Sequence, residues 1–149
     1  MNTMDKVRVS KAFDFESAHA LDGYDGKCKD IHGHSYHLIV TVIGSPIAAE
    51  DHIKQGMVID FSDLKRIVKD TIVDRFDHAL ILKHDSRFKG IENKMQKVIY
   101  TDYQPTCENM VIDFAHSIAP LLPKNVQLHN LKLRETGNSY AEWYASDNL

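Results

Sequence analysis

The chain has 149 residues, 43% hydrophobic and 26% charged, with a formal net charge of −3. That suits one domain, residues 1–149, with a real core, and it argues against a general nucleic-acid binder, which needs a basic face. Two cysteines, Cys28 and Cys107, are too few for a disulfide framework; no apolar run is long enough to span a bilayer, and Met1–Arg8 leads into no apolar targeting core, so the cytoplasm is expected.

Residues 7–18 alternate in part and predict a long first strand ending near His19. In a regular strand, Phe13, Phe15, Ser17 and His19 share one side. Residues 20–31 hold two glycines and three aspartates and read as a loop. Cys28-Lys-Asp-Ile-His32-Gly-His34 follows, opening a second strand from about His32 to Gly44 that is rich in β-branched residues. His32 and His34 are two apart, so both imidazoles face one point. With His19 they make three histidines, the protein's share of an open zinc site. Two strand histidines can equally be ordinary half-buried side chains. Cys28 is open as a fourth ligand, nucleophile or base, and Gly33 allows close approach of backbone or ligand.

Gly44-Ser45-Pro46 ends the strand and 46–56 is a polar loop. Met57–Phe61 reads as a short strand, and Ser62 as the N-cap of a helix from about Asp63 to Arg75 with an apolar stripe of Leu64, Ile67, Val68, Thr71 and Ile72. Asp77-His78 then leaves the helix before another apolar run. The pair is either a solvated turn or an imidazole oriented by a carboxylate for acid–base work. In residues 83–102, Ser86–Lys94 predicts a short helix and Val98–Tyr100 a strand. The positive charges there can bind phosphate or form a mixed solvated face.

Thr106 caps the next helix, and Glu108 suits its first turn. Met110, Val111, Phe114, Ala115, Ile118 and Ala119 form its stripe, Pro120 and Pro123 stop it, and His116 faces solvent. Asn125–Arg134 changes parity near His129-Asn130, which predicts a bulge. Residues 135–139 read as a turn before a last strand, Tyr140–Tyr144. Glu135, where strand meets turn, is exposed or else pairs with a planar amidine-like edge. No internal repeat, low-complexity tract or Gly-rich dinucleotide fingerprint is present.

Six pieces, Phe15-Glu-Ser-Ala-His19, Cys28-Lys-Asp-Ile-His32-Gly-His34, Val58-Ile-Asp60-Phe61, Phe76-Asp77-His78, Pro105-Thr-Cys-Glu108-Asn109 and Leu133-Arg-Glu135-Thr136, occur in one order. His-Gly-His alone is a weak signal, but the ordered set, spanning residues 15–136, resembles the 6-pyruvoyl-tetrahydropterin synthase and QueD (6-carboxy-5,6,7,8-tetrahydropterin synthase) superfamily. The resemblance implies an α+β tunnelling fold (T-fold), with a four-stranded antiparallel sheet and two helices packed on one face. It implies a homo-oligomer, a hexamer built as a dimer of trimers, with active sites between subunits. His19, His32 and His34 would hold Zn2+. Cys28 would be the general base or proton shuttle, Asp77 and His78 its partnering dyad, and Glu135 the anchor of the pterin's amino-pyrimidine edge, with Thr106 and Glu108 nearby.

The Cys with three residues before the first histidine resembles the QueD branch; a branch that only cleaves the dihydroneopterin side chain carries Glu in this region. The activity implied is that of a lyase in queuosine biosynthesis. It converts 7,8-dihydroneopterin triphosphate and water to 6-carboxy-5,6,7,8-tetrahydropterin, acetaldehyde and triphosphate. The alternatives are a 6-pyruvoyl-tetrahydropterin synthase and a non-catalytic metal-binding module.

Overall fold

The structure, a computed structural model, describes residues 5–149; the first four residues of the expected domain lie outside them. Strand β1 (Val7–His19) pairs antiparallel with β2 (His32–Gly44) through thirteen unbroken positions. The alternation read from the sequence therefore holds along β1. Phe15, Ser17 and His19 are buried on one face, while Asp14 and Glu16 point out.

The sheet is larger than the four antiparallel strands expected. Its order is β4-β3-β1-β2-β5-β6, with β3 (Ala79–Lys83), β4 (Val98–Thr101), β5 (Val126–Thr136) and β6 (Ser139–Tyr144). The antiparallel quartet is β1, β2, β5 and β6. β3 joins the free edge of β1 in parallel, and β4 joins β3 in parallel. The added strands satisfy backbone groups that the edge of β1 would otherwise leave unpaired.

Both long helical segments cover one face. The first runs from α1 (Phe61–Val68) through a π turn at Lys69–Val73 into α2 (Asp74–Phe76); the second is α3 (Cys107–Ile118). Leu64, Val68, Ile72 and Phe76 from the first and Met110, Phe114 and Ile118 from the second meet Phe15, Tyr36, Leu38, Val40, Leu131 and Leu133 of the sheet in one core. Phe15 stacks on Tyr36 at 5.1 Å, and Phe114 sets its edge against Phe15 and Phe76. A smaller apolar cluster of Ala20, Leu80 and Leu82 gathers Ala18, Phe88, Ile91, Val98 and Tyr100. It gives segment 83–102 its own anchorage.

Several local expectations are corrected. Met57–Phe61 is not a strand: Val58 and Ile59 are buried without a ladder partner, and Asp60 is taken up by capping. The N-cap is Asp60, whose carboxylate accepts the Ser62 N–H at 2.8 Å, so the helix begins at Phe61 and not after Ser62. Residues 86–94 form turns with one 3₁₀ turn at Ile91–Asn93, since Gly90 adopts φ 98° and ends any helix there. Ala119 falls beyond α3 and is exposed. The predicted bulge is present: Thr41 pairs with Asn130 and Val42 with Leu128, leaving His129 extra.

Candidate metal centre and adjoining cleft

The ladder sets the site. His19 lies opposite His32, and Ser17 opposite His34. Because His32 and His34 share a side of β2 and His19 occupies the matching side of β1, the three rings converge, with centroids 4.5 to 5.1 Å apart. One nitrogen from each lies within 4.8 Å of the others.

Backbone carbonyls choose the tautomers. The His19 Nδ1–H donates to the Pro105 carbonyl at 2.6 Å, and the His32 Nδ1–H to the Asp30 carbonyl at 2.7 Å. A neutral imidazole with its proton on Nδ1 has a bare lone pair on Nε2. The two bare Nε2 atoms face each other at 2.9 Å, an arrangement that repels unless a cation lies between them. His34 Nε2 is buried and has no hydrogen-bond partner. Outer carbonyls that orient ligating imidazoles are the usual support of a metal site, so these residues fit a metal ion. Burial, aided by His32 and His34 and opposed by the Pro105 carbonyl, lowers the His19 pKa to about 4. Burial also lowers His34, against the pull of Glu135. Both rings are therefore neutral at neutral pH, the form in which an imidazole can ligate a metal.

Glu135 is presented by a second bulge. Arg134 pairs with Tyr140 and Thr136 with Ser139, leaving Glu135 without a partner on β6. Its Oε1 sits 3.4 Å from His19 Nε2 and 3.6 Å from His34 Nε2. Cys28, in a 3₁₀ turn at Lys27–Lys29, lines a cavity of about 300 Å³ with His19, Tyr24, Gln104, Thr106, Cys107, Glu108 and Glu135. A neighbouring cavity of about 360 Å³ shares Cys107, Glu108 and Glu135 and continues to Ser139 and Tyr140. Together they form a cleft running from the imidazoles past two carboxylates. Thr106 also caps α3, accepting the Asn109 N–H at 3.1 Å.

Asp77 and His78 stand elsewhere. His78 Nδ1 lies 3.1 Å from Asp77 Oδ1, and the same oxygen accepts the Glu16 N–H at 2.9 Å. That Glu16 bond is the largest influence holding the Asp77 carboxyl below its ordinary range. His78 adopts φ 60° and is 78% exposed. It lines a cavity of about 400 Å³ with Glu16, Ser17, Ala18, Gly33, His34, Ser35 and Met95, so His34 of the imidazole cluster borders this cavity too. Within one chain the dyad and Cys28 line different cavities. Gly33 faces this second cavity, where an added Cβ would make only ordinary contact with the Ser17 carbonyl at 3.6 Å.

Tyr36, which the motifs do not single out, is fully buried between Phe15 and the imidazoles. Burial and the facing Glu135 carboxylate raise its pKa, so it remains a neutral phenol. Its signal was its place on the parity of His32 and His34. Gln104, which donates to the Asp22 carbonyl at 2.6 Å, had none.

The sequence model of one family, described as 6-pyruvoyl tetrahydropterin synthase, matches residues 8–146. The chain is 38% identical over 141 residues to the 6-carboxy-5,6,7,8-tetrahydropterin synthase of Rickettsia felis, covering 91% of this chain and 99% of that one. It is 38% identical over 139 residues to the protein of the same name from Haemophilus influenzae, covering 91% and 97%. Among solved structures, an uncharacterized protein from Wolinella succinogenes superposes with a TM-score of 0.78 at 19% identity, covering 94% of this chain and 98% of that one. The Caenorhabditis elegans 6-pyruvoyl tetrahydropterin synthase gives 0.71 at 22% identity, covering 97% and 99%. At those identities the structural likenesses speak for the fold, which is the T-fold.

Proposed function

Because the chain belongs to the 6-pyruvoyl tetrahydropterin synthase family, we propose that His19, His32 and His34 hold the zinc ion of a 6-carboxy-5,6,7,8-tetrahydropterin synthase. The chain is a lyase acting on a pterin triphosphate. It converts 7,8-dihydroneopterin triphosphate and water to 6-carboxytetrahydropterin, acetaldehyde and triphosphate, the step that leads to queuosine. The observation that carries the metal assignment is the pair of bare Nε2 lone pairs 2.9 Å apart. A zinc ion there supplies Lewis-acid polarisation of the substrate's side-chain oxygens, and three imidazoles suit zinc among the divalent ions.

The chain's own groups then divide the work. The Glu135 carboxylate accepts N–H groups of the amino-pyrimidine edge, a paired geometry that carboxylates favour. Thr106 and Glu108 line the same cleft. Cys28 moves protons on the side-chain carbons, since a thiol beside a cation transfers protons readily near neutrality. Asp77, whose carboxylate lies 3.1 Å from His78 Nδ1, orients the ring and leaves Nε2 for acid–base exchange. That His78 and Cys28 line different cavities of one chain supports a shared site, in which His78 of one copy approaches Cys28 of another. A homo-oligomer suits that reading, and the family resemblance implies a hexamer made of two trimers. Residues 1–149 are taken as a single domain. Among the described residues no helix is long and apolar enough to cross a membrane; with both cysteines free, the cytoplasm is the proposed location.

Subunit mixing tests the shared site. Cys28→Ala and His78→Ala homomers should each be nearly inactive, and hybrids formed by co-expression should regain turnover. Hybrids as inactive as their parents would place both groups in one chain's site and overturn the shared arrangement.

A further inference from the structure

Arg87 lies between β3 and β4, outside every motif that marks the family, yet it reaches the loop that carries Cys28. We propose that Arg87 is a positioning residue that clamps this loop against the metal centre, a reading that rests on Cys28 as the proton-transfer group. Its Nη2 donates to the Lys29 carbonyl at 2.7 Å and to Asp30 Oδ1 at 2.9 Å. Its backbone N–H donates to Asp22 Oδ1 at 3.2 Å, and its Nε lies 3.9 Å from the same oxygen. One residue therefore holds both ends of the loop.

The loop is otherwise closed by few bonds. The Leu21 N–H donates to the Cys28 carbonyl at 3.1 Å, and Gln104 holds the Asp22 carbonyl. Gly23 sits at φ 78°, a conformation other residues rarely adopt. Asp22 Oδ2 is buried without a hydrogen-bond partner, so removing the facing guanidinium would leave a poorly compensated carboxylate at the loop's start. The clamp also reaches the metal centre: Asp30, whose side chain Arg87 holds, supplies the carbonyl that fixes the His32 tautomer. Arg87 is itself held. Its guanidinium lies over the Phe88 ring at 4.5 Å, and Phe88 packs on the Leu80–Leu82 cluster of the sheet. The bonds run from sheet to Phe88 to Arg87 to the two loop ends.

A misplacement of about 1 Å at a reacting group can cost ~10²-fold in rate. In zinc-loaded protein, Arg87→Ala should lower kcat about 10- to 100-fold while changing KM less. Iodoacetamide alkylation of Cys28, followed residue by residue by mass spectrometry, should quicken about 5-fold or more as the loop opens. Added guanidinium ion at sub-denaturing concentration should restore both readouts in Arg87→Ala. Arg87→Lys should restore them only in part, because an ammonium lacks the planar fork. Lys124→Ala, an exposed charge loss far from the loop in sequence, should change neither. If Arg87→Ala does not fold, Asp22→Asn loosens the other side of the clamp and should also speed alkylation. Wild-type kcat and alkylation in Arg87→Ala would overturn the clamp, as would a loss that guanidinium leaves unrepaired and that tracks a fall in Tm. Full turnover in Cys28→Ala would instead remove the catalytic reading of Cys28, and the alkylation rates would still decide whether Arg87 holds the loop.

Discussion

Two imidazole nitrogens with bare lone pairs do not lie 2.9 Å apart without reason, and that contact is the firmest residue-scale statement the site makes. His19→Ala, His32→Ala and His34→Ala should each lose zinc on purification; full occupancy in all three by metal analysis would sink the assignment. Zinc should also leave on acidification, because protonated imidazoles do not ligate. In chelator-treated protein, the His19 pKa of about 4 lies below its ordinary 6.5. Stability should therefore be full above pH 6.5 and fall as pH drops toward 4, since the unfolded chain takes up the proton first. Urea unfolding of the chelated protein across that window gives the measurement, and no change across it would contradict the burial argument.

Glu135 calls for a sharper distinction, since its Oε1 is near two imidazoles as well as in the cleft. Glu135→Gln should keep zinc and lose pterin affinity by about 1.5–3 kcal/mol, the scale of a charge-assisted hydrogen bond. Calorimetry with a simple pterin, paired with metal analysis, separates the roles; loss of zinc would make the carboxylate a ligand. Cys28→Ala should keep fold, zinc and pterin binding while turnover falls about 10²-fold or more. Cys107 is the control. Burial, with Glu135, pushes its thiol up to about 12, and its S–H donates to the Leu133 carbonyl at 3.2 Å, so Cys107→Ala should leave turnover largely intact.

At the scale of elements, what could be read from the sequence followed from partial alternation and residue type. The shared parity of Phe13, Phe15, Ser17 and His19 and the β-branched run after His34 located both central strands, and the two-residue spacing of His32 and His34 put those imidazoles on one side. The parity change at His129-Asn130 marked one bulge. The bulge at Glu135 left no such trace, because the strand ends one residue later and no further alternation exists to shift. Asp60 was hidden as a cap behind Ser62, which is equally suited by type; the Ser62 N–H bond decides between them. β3 and β4 are five and four residues long. Runs that short do not declare that they will lie parallel beside β1. The Thr106 cap, by contrast, was plain. Thr106→Ala should cost about 0.5–2 kcal/mol of stability and Thr106→Ser much less, by chemical denaturation. Equal stability of the two variants would mean that the Asn109 bond contributes little.

For the whole molecule, the chain places Cys28 and its Asp77–His78 pair at different cavities, with the three imidazoles between them. No property of a single sequence announces that separation, since each motif reads as part of one site until the fold assigns its cavity. The proposed reaction joins these parts in one chemistry, and the most direct test of it is the product formed. Zinc-loaded protein incubated with 7,8-dihydroneopterin triphosphate and water should give 6-carboxy-5,6,7,8-tetrahydropterin by mass, with acetaldehyde captured alongside, and chelation should abolish both. A 6-pyruvoyl product without acetaldehyde, or no turnover by fully metallated protein, would contradict it.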